Sequence, residues 1–306
     1  MSTFENIIAP VQALSDEITR QHGISLSIKR EDLNHPEIMG NKLRKLKYNL
    51  LDAQKQNASA LLSFGGAYSN HILALSAAGK LMGMQTIGII RGAELENTPL
   101  NSVLSRVLEN DMQLHFVSRS DYRKKQEAEF IEKLHEKFGA FYLIPEGGSN
   151  QLALQGVSEL MSEVDDSYDV ISCACGTGGT LAGLIQGAGI NTRHSPELIG
   201  FQVLKADNYI QQAVHDFLTP KDYQHVHWHV NQDYHFGGYA KTDDRLIGFM
   251  RWFKAIHNID LDYVYTGKMM YGLYQMIKSG SFSRGSRVLA IHTGGTQTAS
   301  LSCLQQ

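Results

Sequence analysis

Short apolar runs alternate along this chain with amphipathic stretches of helical length. The runs at 60–64, 86–90, 113–117, 141–144, 170–174, 198–203, 226–230, 262–265 and 288–292 predict strands. Between most of them, 70–82, 99–108, 121–138, 178–187, 243–256 and 268–278 predict helices. The chain opens irregularly. Such alternation argues for an α/β fold with mostly parallel sheets. Nine candidate strands are many for one open sheet, and glycine-rich punctuation falls mid-chain, at Glu146-Gly147-Gly148-Ser149 and at 175–180. The expected architecture is two open α/β lobes with a ligand cleft between them. The expected larger domain spans 1–48 and 155–306, and the smaller one 49–154.

Composition narrows the function classes. The 306 residues are 42% hydrophobic and 19% charged, with a formal net charge of −3, which leaves no basic footprint for nucleic acid. An odd count of three cysteines argues against a disulfide framework and for a reducing compartment, the cytoplasm. Met1-Ser2-Thr3-Phe4-Glu5-Asn6 lacks the order of a signal peptide, and no uncharged apolar run approaches membrane length.

The strand at 170–174 runs into Cys175-Gly176-Thr177-Gly178-Gly179-Thr180 and then a helix start. A turn of this kind points backbone N–H groups and hydroxyls at one spot, where the helix dipole favours an anion. It is not a nucleotide P-loop, since no Lys follows the glycines, nor a dinucleotide fingerprint, since Leu181 stands where the third glycine belongs. A small phosphate is the natural occupant; a tight turn without ligand is the bland alternative.

Three more segments carry chemistry. In Gly40-Asn41-Lys42-Leu43-Arg44-Lys45, Asn41 is a candidate N-cap that puts Lys42 in the first turn of a helix. The dipole lowers the pKa of an amine there and makes it a better nucleophile, unless the lysines only form a solvated basic face. In Gly65-Gly66-Ala67-Tyr68-Ser69-Asn70-His71, Ser69 and Asn70 open a helix, as caps, as carboxylate ligands or as both. His71 reads as a packed histidine. Near the C-terminus, Val264-Tyr265-Thr266-Gly267-Lys268 and His292-Thr293-Gly294-Gly295 carry hydroxyls at expected strand ends. His225, His227 and His229 alternate with apolar residues, as a strand with one polar face does, and no metal site is expected. Cys173 and Cys175 read as core.

In this order the segments resemble the pyridoxal-phosphate enzymes of the tryptophan-synthase-β type. More narrowly, the chain is similar to the 1-aminocyclopropane-1-carboxylate deaminase and D-cysteine desulfhydrase family, from Lys29-Arg30-Glu31-Asp32-Leu33 to His292-Thr293-Gly294-Gly295. The resemblance implies that the cleft holds pyridoxal 5'-phosphate. Lys42 then anchors the cofactor covalently, and Asn70 bonds its phenolic oxygen. Ser69 lies beside the substrate, and Gly176, Thr177, Gly178, Gly179 and Thr180 hold the phosphate. Tyr265 and Tyr239 match active-site tyrosines. The resemblance also implies a homodimer and a small amino-acid substrate.

Thr266 stands where the cyclopropane deaminases carry a glutamate that protonates the ring nitrogen, and Thr293 is a second hydroxyl candidate for that nitrogen. A hydroxyl partner leaves a weaker electron sink, which suits β-elimination rather than cyclopropane opening. The expected activity is therefore D-cysteine desulfhydrase, releasing pyruvate, ammonia and hydrogen sulfide. The alternatives are the cyclopropane deaminase and a non-catalytic protein that binds pyridoxal phosphate.

Overall fold

A computed structural model of the chain describes residues 9–190 and 196–302; the opening Met1–Asn6 stretch lies outside them. Ten strands among the described residues fall into two sheets. They are β1 (Val11–Leu14), β2 (Ser25–Lys29), β3 (Ala60–Gly65), β4 (Gln85–Arg91), β5 (Gln113–Val117), β6 (Tyr142–Ile144), β7 (Val170–Cys175), β8 (Glu197–Gln202), β9 (Trp228–Asn231) and β10 (Arg287–Ile291). The larger sheet runs β1-β2-β10-β7-β8-β9 and the smaller β5-β4-β3-β6. Every pairing is parallel except β1 with β2. Six of the helices that flank the sheets are α1 (Asn41–Lys55), α2 (Asn70–Met82), α3 (Gln151–Ser162), α4 (Gly179–Ile190), α5 (Asp244–His257) and α6 (Thr266–Lys278).

The α/β architecture with mostly parallel sheets expected above is the one that forms. All of β3 and β7 is buried, because helices cover both faces of a parallel sheet; this explains their continuous apolar runs. Along β10, Val288 and Ala290 enter one core while Leu289 and Ile291 enter the core on the opposite face. In β3, Leu61 faces one core of the smaller sheet and Leu62 and Phe64 the other.

Three expectations need correction. The opening is not irregular: β1 and β2 form an antiparallel pair whose β2 edge joins β10. The alternation in Ser25-Leu26-Ser27-Ile28 was the available signal. The run at 262–265 is not a strand. Asp262 Oδ1 accepts from the amides of Val264 (3.0 Å) and Tyr265 (2.6 Å), and Oδ2 from that of Thr266 (2.9 Å). A side chain that takes these donors competes with a sheet ladder and starts α6 instead. The helix at 121–138 is two, Arg119–Arg123 and Ala128–Phe138, and near the break Tyr122 and Lys125 both reach Glu146.

A buried ionic cluster joins the chain leaving β2 to α1 and α3. Arg44 donates to Glu31 through Nε (2.6 Å) and NH2 (2.8 Å), and to Glu163 through NH1 (2.7 Å) and NH2 (2.9 Å). Lys29 Nζ lies 2.9 Å from Glu163 Oε2. Glu31 is fully buried and Arg44 is 1% exposed, so each charge depends on its partners. Where α1 crosses α3, a Cβ on Gly156 would stand 2.0 Å from the Arg44 carbonyl oxygen, so only glycine permits the approach. Glu31→Ala leaves Arg44 short of one buried carboxylate and is expected to cost about 3–5 kcal/mol of stability. Denaturant unfolding checks this; a loss below about 1 kcal/mol would contradict it.

Candidate active site

The segments that follow β3, β4, β6, β7, β8 and β10 meet the start of α1 around a cavity of about 480 Å³. The carboxyl ends of the strands in both sheets therefore face one site, as open α/β sheets arrange.

Gly40 caps α1, at φ 80°, and a Cβ there would lie 2.1 Å from the Thr293 carbonyl oxygen. That carbonyl accepts the Asn41 amide (3.2 Å), so the end of β10 is pinned to the start of α1. Asn41 is thus the first helical residue and not the cap; its side chain donates to Thr180 Oγ1 at 2.8 Å. Lys42 follows, half-buried on the cavity wall. Burial pulls its amine down to about 8 from the ordinary lysine value of 10.5.

Ser69 caps α2, with Oγ accepting from the Ile72 amide at 3.3 Å, and Asn70 is the first residue of that helix. Both line the cavity. His71 is buried, its Nε2 2.8 Å from Ser63 Oγ, and burial followed by the charges of Lys42 and Lys45 holds its pKa well below the ordinary value. It is the packed, neutral histidine expected.

Gly176, Thr177, Gly178 and Thr180 line the cavity between β7 and α4, with Gly178 at φ +78°. A Cβ on Gly176 would meet Tyr265 Cε1 at 2.9 Å. One on Gly179 would meet Ser149 Oγ at 2.8 Å and Lys45 Nζ at 3.1 Å. The turn is thus stripped of side chains where protein presses on it, and it leads from the cavity wall into the start of α4.

Lys45, one turn beyond Lys42, is a residue the motif reading passed over. Its ammonium is 1% exposed and donates to Ser149 Oγ (3.0 Å), which in turn lies 2.8 Å from Thr177 Oγ1. Burial and then the Lys42 charge hold its pKa well below the ordinary lysine value. An anion at the turn favours its charged form. The i, i+3 spacing from Lys42 was the signal that could have found it.

The two threonines of the C-terminal segments separate. Thr293 lines the cavity. Thr266 does not reach it: its hydroxyl is fully buried and donates to Asp262 Oδ2 at 2.6 Å. Tyr265 and Tyr239 both line the cavity, with ring centroids 6.1 Å apart at 75°. Burial, with Tyr239 adding to it, raises the Tyr265 hydroxyl well above the ordinary tyrosine value. Arg91, Glu37 and Glu146 also border the cavity. His229 pairs with Glu197 (3.1 Å), and among the described residues no group of three metal-ligating side chains gathers. Cys173 and Cys175 are buried, their sulfurs 3.8 Å apart.

Residues 8–294 match the family described as pyridoxal-phosphate dependent enzyme. A Pyrococcus horikoshii protein, provisionally named a 1-aminocyclopropane-1-carboxylate deaminase, is 33% identical over 94% of this chain and 89% of its own length. An Arabidopsis thaliana mitochondrial protein named a bifunctional D-cysteine desulfhydrase/1-aminocyclopropane-1-carboxylate deaminase is 29% identical over 90% of this chain and 73% of its own. The crystal structure of a 1-aminocyclopropane-1-carboxylate deaminase homologue superposes with a TM-score of 0.77, at 30% identity, over 96% of this chain and 92% of that one.

Lys45→Met is expected to weaken binding of pyridoxal phosphate by about ten- to a hundredfold, the scale of one charge-assisted hydrogen bond. An absorbance titration measures this; unchanged affinity would remove Lys45 from the phosphate site.

Proposed function

The chain belongs to the pyridoxal-phosphate-dependent enzyme family, and from that premise we propose that it removes a β-substituent from a small amino acid, with D-cysteine as substrate. The cavity fits the cofactor. Its glycine turn leaves space where side chains would stand, an amine of lowered pKa opens into it, and a second buried lysine backs the turn. Bound pyridoxal phosphate supplies an electron sink for charge developing at the α-carbon of the amino acid.

The chain's own residues divide the remaining work. The α4 turn, Gly176 to Thr180, would hold the phosphate with its amides and hydroxyls, with Lys45 behind it as counter-charge. Lys42 would anchor the cofactor, and its neutral amine would serve as the base for the α-proton. Asn70 would hydrogen-bond the ring oxygen, and Ser69 at the α2 N-terminus would meet the substrate carboxylate. Tyr265, held protonated by burial, and Tyr239 beside it give a proton to the departing sulfur. Released hydrogen sulfide leaves a three-carbon enamine that hydrolyses to pyruvate and ammonia.

One observation carries the choice of substrate: among the described residues after β10 that line the cavity, Thr293 presents a hydroxyl and none presents a carboxylate. Asp262 lies behind Gly295, where a Cβ would meet its Cγ at 3.0 Å, but both its oxygens bond the start of α6. Thr293 is the cavity-lining hydroxyl that would meet the ring nitrogen, a reading supported by the engagement of the Thr266 hydroxyl with Asp262. A hydroxyl keeps the ring neutral, enough for expelling a good β-leaving group from a substrate with an α-proton. Opening a cyclopropane without one asks for a stronger sink. The relatives' names make the cyclopropane reaction the second reading.

Steady-state assays with keto-acid detection compare the two substrates. D-Cysteine is expected to give pyruvate and sulfide at a kcat/KM at least about tenfold above the cyclopropane compound; the reverse order would overturn the substrate assignment. A second test uses the amine's pKa. Lys42 reacts only when neutral, so covalent uptake of pyridoxal phosphate by the cofactor-free chain should rise roughly tenfold per pH unit below about 8 and level off above it. Visible absorbance follows the rate; a rise that continues to about pH 10, the ordinary lysine value, would contradict the lowered pKa.

A further inference from the structure

Lys268, the third residue of α6, is 1% exposed and has no part in the reaction above. Its ammonium donates to two backbone carbonyls of one loop, His235 at 2.9 Å and Gly238 at 2.7 Å. That loop is held in an unfavourable shape. Phe236, Gly237, Gly238 and Ala240 all have positive φ, of 54°, 88°, 122° and 55°. Left-handed backbone at Phe and Ala persists only where the surroundings over-determine it. Within the loop, the Gly237 amide donates to His235 Nδ1 (2.9 Å) and the Gly238 amide to the His235 carbonyl (3.0 Å). From outside, the Phe236 ring meets Tyr271 edge-on at 5.0 Å, one turn along α6 from Lys268.

The residue enclosed by these positions is Tyr239, which reaches the cavity and the ring of Tyr265. Tyr265 is itself the N-cap of α6. One helix therefore carries the first tyrosine at its start and, one turn later, the cation that grips the loop bearing the second. We propose that Lys268 is a positioning residue: by clamping the 235–238 carbonyls onto α6 it sets Tyr239 against Tyr265. A lysine suits the task because one ammonium reaches two carbonyls at once: each already accepts a backbone amide of the loop, Gly238 onto His235 (3.0 Å) and Lys241 onto Gly238 (3.1 Å), and the ammonium adds the donor that ties both to α6. The kinetic part of this inference rests on the proposed function; the clamp itself does not.

The test is a double-mutant cycle in the holoenzyme, with D-cysteine as probe. Lys268→Met is expected to lower kcat about tenfold or more while KM moves less than about threefold, the scale of a misplaced catalytic group. In the Tyr239→Phe background the same change should cost less than about twofold, because the group it positions is already missing. An equal fractional loss in both backgrounds would show a general structural role and overturn the proposal. Gly238→Ala strains the acceptor side of the same clamp, at φ 122°, and should give the same pattern if Lys268→Met does not fold. Hydrogen exchange supplies the arm independent of activity: amides 236–241 should exchange at least about tenfold faster in Lys268→Met, with α6 unchanged. Unchanged loop exchange would overturn the clamp. Absence of wild-type turnover on D-cysteine would overturn the functional reading instead and leave the exchange result to decide the clamp.

Discussion

The two carboxylates that Arg44 bridges hold the site together. Glu31 lies just beyond β2 of the larger sheet, Arg44 is in the first turns of α1, and Glu163 caps the C-terminal end of α3. The Glu31 carbonyl also accepts the Gly40 amide at 2.9 Å, and Asn34 donates to both the Glu31 carboxylate and the Gly40 carbonyl. The segment that delivers Lys42 to the cavity is therefore fixed on both sides, by a buried ion cluster after it and a hydrogen-bonded loop before it. Removing one partner of a buried pair costs far more than the pair contributes against an apolar substitute, so such a cluster fixes geometry more than it adds stability.

Lys42 and Lys45 project from one helix onto one cavity, and burial pushes each amine toward its neutral form. The two respond differently to a phosphorylated aldehyde. Lys45, against the glycine turn, gains from charge, since a phosphate provides the partner that the protein withholds. Lys42 gains from neutrality, since its free electron pair is what bonds carbon and later takes a proton. The glycine turn packs against Lys45, where a Cβ on Gly179 would lie 3.1 Å from its Nζ, so under the proposed function an anion at the turn would act on Lys45 directly.

What was legible in the sequence followed from local rules. Strand runs ending in glycines before helix starts mark the ends of β3, β7 and β10, and the topology brings those ends to one cavity, so Ser69, Asn70, the 176–180 turn and Thr293 could be picked from spelling alone. What was not legible depended on contacts distant in sequence. Asn41 looks like a cap, but Thr293 takes its amide and Thr180 its side chain, which leaves capping to Gly40. Thr266 looks like a cavity hydroxyl only if 262–265 is a strand, and the Asp262 carboxylate turns it away. Lys45 could be read as part of a solvated basic face because nothing local announces Ser149, and nothing local announces that the 235 and 238 carbonyls will meet Lys268.

Under the proposed function Lys42, and not its buried neighbour Lys45, would bond the cofactor. Borohydride reduction of the holoenzyme, then proteolysis and mass mapping of the pyridoxyl adduct, tests it directly. The account predicts the adduct on Lys42 alone. An adduct on Lys45, or one divided between the two, would contradict it.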